Sequence, residues 1–150
     1  MPETRLPTTV SLPPPVSAGL AAVRWRKFGR WIWPFAVAAL IFAASSRSHV
    51  RSPGLTRIDD KIAHFAIYGL LATLVCRVGG GWRGAVWSLL AVSAFGASDE
   101  WHQSFVPGRD SDVADWVADT LGAALAIGLY VEWPWYRNLL ETALGWRKAE

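Results

Sequence analysis

Val113-Ala114-Asp115-Trp116-Val117-Ala118-Asp119-Thr120-Leu121-Gly122-Ala123-Ala124-Leu125-Ala126-Ile127-Gly128-Leu129-Tyr130-Val131 is an apolar run with two carboxylates in it. A helix needs about 20 residues to cross the hydrocarbon core of a bilayer, and this run is of that length. Its alanines and glycines let helices approach closely in lipid. Asp112, Asp115, Asp119 and Gly122 follow one another at steps of three and four, so they form a single stripe on a helix. Ionisable side chains at bilayer depth are expensive and normally face the interior of a bundle. The stripe therefore calls for polar partners on neighbouring helices.

Those partners stand at the ends of two other apolar runs. Residues 62–78 are headed by Asp60 and Lys61, and Asp60, His64 and Tyr68 are spaced four apart on one face. Residues 83–98 end in Asp99-Glu100-Trp101-His102-Gln103, with Glu100 and Gln103 three apart and Gly96 one turn before Glu100. A further run, residues 31–45, follows the basic aromatic collar Arg24-Trp25-Arg26-Lys27-Phe28-Gly29-Arg30. If all four runs span, parity brings the three polar stretches to the same face of the membrane. A cleaved signal peptide is the competing reading of residues 31–45, because Ala43-Ala44-Ser45 is a small-residue stretch after a basic region. The long preceding tail argues against it.

Composition supports a membrane assignment. The chain has 150 residues, 52% of them hydrophobic and 18% charged. A soluble domain would carry about 25% charge. Its 10 tryptophans suit lipid–water interfaces. The net charge of +3 does not indicate nucleic acid, because the cations flank apolar runs and form no basic face. The lone Cys76 lies within an apolar run and is expected to be a buried, inert thiol.

The fold expected is all-α: an integral membrane four-helix bundle with spans at 31–45, 62–78, 83–98 and 113–131. A disordered tail rich in Pro, Ser and Thr covers residues 1–19, and residues 136–150 form a short amphipathic helix at the membrane surface. The spans and their flanks make one domain over residues 24–135. With both termini cytoplasmic, the inner segments hold Arg5, Arg24, Arg26, Lys27, Arg30, Arg77, Arg83, Arg137, Arg147 and Lys148. The outer segments hold Arg47, Arg51, Arg57, Lys61 and Arg109. The positive-inside rule favours that orientation, in a bacterial cytoplasmic membrane.

The candidate ligand-binding residues are Asp60, Lys61, His64, Tyr68, Asp99, Glu100, Gln103, Arg109, Asp115 and Asp119. A plainer reading sets the outermost of them at the interface as solvated charges, with Lys61 snorkelling and Arg109 neutralising Asp112 or Glu100. His64 with Asp60, and His102 with Asp99, have spacings that can hold a divalent metal. No HExxH, HxH or paired-cysteine pattern is present, and neither a metal nor a cofactor is expected. His49 lies in a polar loop and needs no special explanation.

Three motifs in order resemble the VanZ-like family of small bacterial membrane proteins. The first is Asp60-Lys61-x-x-His64-Phe65-x-x-Tyr68-Gly69. The second is Gly96-x-x-Asp99-Glu100-x-x-Gln103-x-Phe105-Val106-Pro107-Gly108-Arg109. The third is Ser111, then Asp115-x-x-Ala118-Asp119-x-x-Gly122-Ala123. Two positions depart from the family pattern, which usually has Asn at the position of Asp119 and an apolar residue at that of His102. The family is named for an accessory factor in resistance to teicoplanin. The resemblance implies an envelope protein acting near the outer leaflet, where such antibiotics and cell-wall precursors reside, and implies no established catalytic mechanism.

On this reading the pocket binds a lipid-linked cell-wall precursor or a lipoglycopeptide, with Arg109 on an anionic head group and Lys61 adding positive potential. The carboxylates and Gln103 would orient these cations. The alternative is an intramembrane hydrolase or transferase with Glu100 or His64 as general base. A small proton-coupled transporter is a third reading, with Asp119 and His64 relaying protons. Membrane lipids are the expected partners. Gly122, Ala123, Ala124, Ala126 and Gly128 would serve either a homo-oligomer or packing within one bundle.

Overall fold

The computed structural model describes residues 29–48, 57–109 and 111–143. The tail assigned to residues 1–19, the collar up to Phe28, His49 and the last stretch, 144–150, lie outside the described residues. The helices belong to one compact unit, Trp31–Glu150. Among the described residues there are five helices and no strand: α1 (Ile32–Ser45), α2 (Arg57–Gly79), α3 (Gly81–Gln103), α4 (Val113–Glu132) and α5 (Pro134–Ala143).

Each boundary has a local cause. Pro34 sits in the first turn of α1, where its missing N–H breaks no helical bond. Asp59 and Asp60 in the first turn of α2 and Arg77 in its last turn complement the helix dipole. The break between α2 and α3 needs positive φ at both Gly80 (65°) and Gly81 (62°), a region that side chains strongly disfavour. Asp112 caps α4, its Oδ1 accepting from the Ala114 N–H at 2.9 Å. At the other end Trp133 turns extended ahead of Pro134, which opens α5 at the position where proline is preferred. The C-terminal helix thus begins two residues before the sequence pattern alone suggests.

Two segments, Ile58–Gly79 and Val113–Glu132, are long and apolar enough to cross a membrane. At 14 residues α1 is too short on its own. At 23 residues α3 has the length, but Trp82-Arg83, the serines at 88, 93 and 98, and Asp99-Glu100 keep it from meeting the same requirement. A four-span arrangement therefore rests, for α1 and α3, on more than apolar length.

Packing is closest between α2 and α4. A β-carbon on Gly122 would strike the Phe65 carbonyl oxygen, and one on Gly69 would lie 3.0 Å from the Gly122 carbonyl oxygen. The two backbones meet because neither helix carries a side chain at that crossing. Helix α3 packs against both, α1 lies chiefly along α2, and α5 folds back on α4. Tyr68, Leu71, Ala72, Val92, Ala123, Ile127 and the Cys76 thiol form the buried core. Gly122 and Ala123 are thus consumed inside the chain, whereas Ala124 and Gly128 are exposed.

Beside that apolar core, the described residues bury an unusual share of polar groups and expose many large apolar ones. Asp99, Glu100, Gln103, Asp115, Asp119, Thr73 and Arg77 are buried. Ile32, Phe35, Leu40, Trp87, Leu90, Leu121 and Leu125 are each more than half exposed. A surface of that kind suits contact with lipid or with a protein partner.

Candidate functional site

Helical spacing brings the three polar stripes together where α2 begins, α3 ends and α4 begins. On α2, Asp60, Lys61, His64 and Tyr68 occupy two successive turns. On α3, Asp99, Glu100 and Gln103 are all buried in the last turns. On α4, Asp115 and Asp119 are buried, with Asp119 wholly removed from solvent (0% exposed).

Two hydrogen-bonded groups result. In the first, Lys61 Nζ donates to Asp115 Oδ1 at 2.6 Å and to Asp112 Oδ2 at 2.9 Å, tying α2 to the start of α4. Asp112 in turn gives its backbone N–H to Glu100 Oε2 at 2.9 Å, which brings in α3. His64 Nδ1 lies 3.0 Å from Asp119 Oδ1. The second group centres on Asp99, whose Oδ2 accepts from Ser45 Oγ (2.7 Å), Gln103 Nε2 (3.0 Å) and Tyr68 OH (3.1 Å). One carboxylate oxygen thereby joins α1, α2 and α3.

Arg109 closes this second group from the loop after α3. Its Nη1 donates to Gln103 Oε1 at 3.1 Å, its Nη2 to the Ala44 carbonyl at 3.1 Å and its Nε to the Arg47 carbonyl at 3.5 Å. Those carbonyls belong to the last turn of α1 and the residues just beyond it, where the helix dipole favours a cation; the Ala44 carbonyl also accepts from the Arg47 N–H at 3.2 Å. Among the described residues Arg109 makes no ion pair. The expectation that it neutralises Asp112 or Glu100 is not met. Lys61, expected to add positive potential while carboxylates orient it, is held by Asp112 and Asp115.

A cavity of about 290 Å³ opens between α1 and α2 beside this network. Leu40, Ile41, Ala44, Ala63 and Ile67 make its apolar wall, and Ser45, Asp60, His64, Tyr68, Asp99 and Arg109 its polar part. Lys61, Glu100, Gln103, Asp115 and Asp119 do not line it, but Gln103 bonds to Ser45, Asp99 and Arg109 and Asp119 to His64.

Two sets of side chains could hold a cation. In each of His64–Glu100–Asp119 and Asp60–His64–Asp115 the donor atoms lie within 4.8 Å of one another. Asp99 and His102, also at a metal-like spacing, diverge. His102 stacks on Phe42 with ring centroids 4.7 Å apart and lies 3.1 Å from Ser46 Oγ, while Asp99 points to Ser45 and Tyr68.

All ten candidate residues are thus gathered at one end of the helices. Two contributors carried no strong sequence signal. Ser45 is a small hydroxyl at the end of an alanine-rich run. Asp112 shares the stripe of Asp115 and Asp119, and its position there was the available clue.

A family model described as VanZ/LLP1 matches residues 16–137, most of the chain. The chain belongs to that family. No curated protein and no solved structure matches it.

Proposed function

We propose that this chain is a VanZ-type envelope protein of the bacterial cytoplasmic membrane that binds a lipid-linked envelope molecule. In this reading α1 to α4 all span, both termini are cytoplasmic and the carboxylate-rich end lies at the outer leaflet. The observation that carries it is the cavity between α1 and α2, apolar along Leu40, Ile41 and Ile67 and polar toward Asp60, His64 and Arg109. An amphiphile fits such a space, with its chain along the apolar wall and its head group at the polar part. The exposed Leu, Phe and Trp side chains and the buried acids support placing that cavity in lipid.

Arg109 would meet an anionic head group. Its described bonds use one N–H on each guanidinium nitrogen, leaving a donor on Nη1 and another on Nη2 for a phosphate or carboxylate. By sequestering its ligand near the outer leaflet, the protein would contribute to protection against teicoplanin-type lipoglycopeptides. The test compares Arg109→Ala and the cavity-filling Ala63→Phe with wild type at equal membrane abundance. Both should lose protection against a lipoglycopeptide. Full protection with both variants would exclude the cavity from the function.

A second reading follows from His64. With Nδ1–H donating to Asp119, Nε2 carries the lone pair, and a carboxylate-oriented imidazole on a cavity wall is the arrangement of a general base. The protein would then hydrolyse or transfer a group on the same class of lipid. Purified protein incubated with lipid-linked precursors separates the readings: turnover lost in His64→Gln supports an enzyme, and binding without turnover supports the first reading.

A further inference from the structure

We propose that His64, Glu100 and Asp119 bind a divalent transition-metal ion between α2, α3 and α4. Each helix supplies one donor, and the donor atoms lie within 4.8 Å of one another. Around a metal with bonds of about 2.0–2.2 Å, neighbouring ligand atoms stand roughly 3 to 3.5 Å apart. His64 Nδ1 and Asp119 Oδ1 stand 3.0 Å apart, joined by a hydrogen bond that the ion would replace, and a small closure of Glu100 completes the set.

A separate observation points to a ligand. Asp119 is wholly buried and Glu100 is 6% exposed, yet Asp119 Oδ2 and Glu100 Oε1 are buried with no hydrogen-bond partner among the described residues. Carboxylate oxygens removed from water with nothing to bind them are costly and rare. The described ion pairs give Glu100 no cation and Asp119 only His64, because Lys61 is spent on Asp112 and Asp115. A dication would compensate both acids at once.

The surroundings are built around these oxygens. A β-carbon at Gly96 would come within 3.0 Å of Asp119 Oδ2 and 3.4 Å of the Tyr68 ring, so the absence of a side chain there leaves the acid its room. Glu100 is fixed through Oε2 by the Asp112 N–H at 2.9 Å, leaving Oε1 as the oxygen available to a metal. Such outer support is typical of metal ligands.

The set Asp60–His64–Asp115 is the weaker candidate, because Asp60 is exposed and Asp115 is held by Lys61 at 2.6 Å. One imidazole with two carboxylates suits Zn²⁺, Mn²⁺ or Fe²⁺ better than the all-oxygen shells of Mg²⁺ and Ca²⁺. No motif announces the site, because its ligands come singly from three helices. It stands whether or not the cavity takes a lipid.

The test uses the full chain in detergent, stripped with a chelator, reloaded with Zn²⁺ or Mn²⁺ in excess Mg²⁺, desalted and assayed for metal content. About one ion per chain is expected. His64→Gln, Glu100→Gln and Asp119→Asn should each weaken binding by about tenfold or more, while Asp60→Asn and His102→Gln keep full loading. Wild type that takes up neither metal, or equal loading in the three ligand variants, overturns the proposal. Should those variants fail to fold, Co²⁺ titrated into wild type decides. Visible absorption bands displaced by Zn²⁺ uphold the site, and the spectrum of the hydrated ion alone overturns it.

Discussion

Gly122 shows how one missing side chain sets the distance between two helices. Its α-hydrogen faces the Phe65 backbone, and no rotamer change can clear a methyl from a carbonyl oxygen. Gly122→Ala is therefore expected to destabilise the protein by about 3 kcal/mol, the cost of overpacking borne by backbone. Gly128→Ala, with nothing within 4 Å, should stay within about 0.5 kcal/mol of wild type. Denaturant unfolding in detergent measures both. Gly122 was legible from its place on the stripe with Asp115 and Asp119, and so was the convergence of His64 and Glu100, because period and cost of burial dictate it. The α1 partner of Asp99 was not. Ser45 is as small and neutral as the alanines before it, and the carbonyls that receive Arg109 belong to the backbone, which leaves no trace in residue identity.

At the scale of elements, a few polar side chains fasten the first and last helices. The end of α1 is tied to the loop after α3 by the flat guanidinium of Arg109, which reaches three acceptors together. A lysine ammonium is a point donor and cannot span them. Arg109→Lys should speed amide hydrogen exchange in α1 while leaving α2 and α4 protected. At the opposite end, Glu141 on α5 accepts from Arg77 Nε at 3.1 Å and from Tyr130 OH at 3.0 Å. Arg77 is buried, so Glu141→Ala should cost about 1.5–3 kcal/mol and loosen α5, as thermal unfolding would report. The amphipathic character of α5 was visible in its sequence. Its attachment to α2 was not, since Arg77 entered the sequence reading only as one of the cations of the inner segments.

Taken as a molecule, the described residues bury Asp99, Glu100, Asp115 and Asp119 at one end while many large apolar groups remain exposed. On the proposed topology that end is external. A reporter fused at Ser111 should be active when it requires export and silent when it requires the cytosol, and fusions at Gly80 should give the reverse. The opposite result would move the cavity to the inner leaflet. Composition made the membrane expectation possible, but α1 and α3 show its limit: one is short and the other is diluted by tryptophan, serine and acid. The glycine crossing bears on how anything could enter. With α2 and α4 clamped backbone to backbone, the far side of the chamber is a fixed jamb. Widening the aperture falls to the lightly seated first helix, which swings only as far as its arginine latch and serine catches allow.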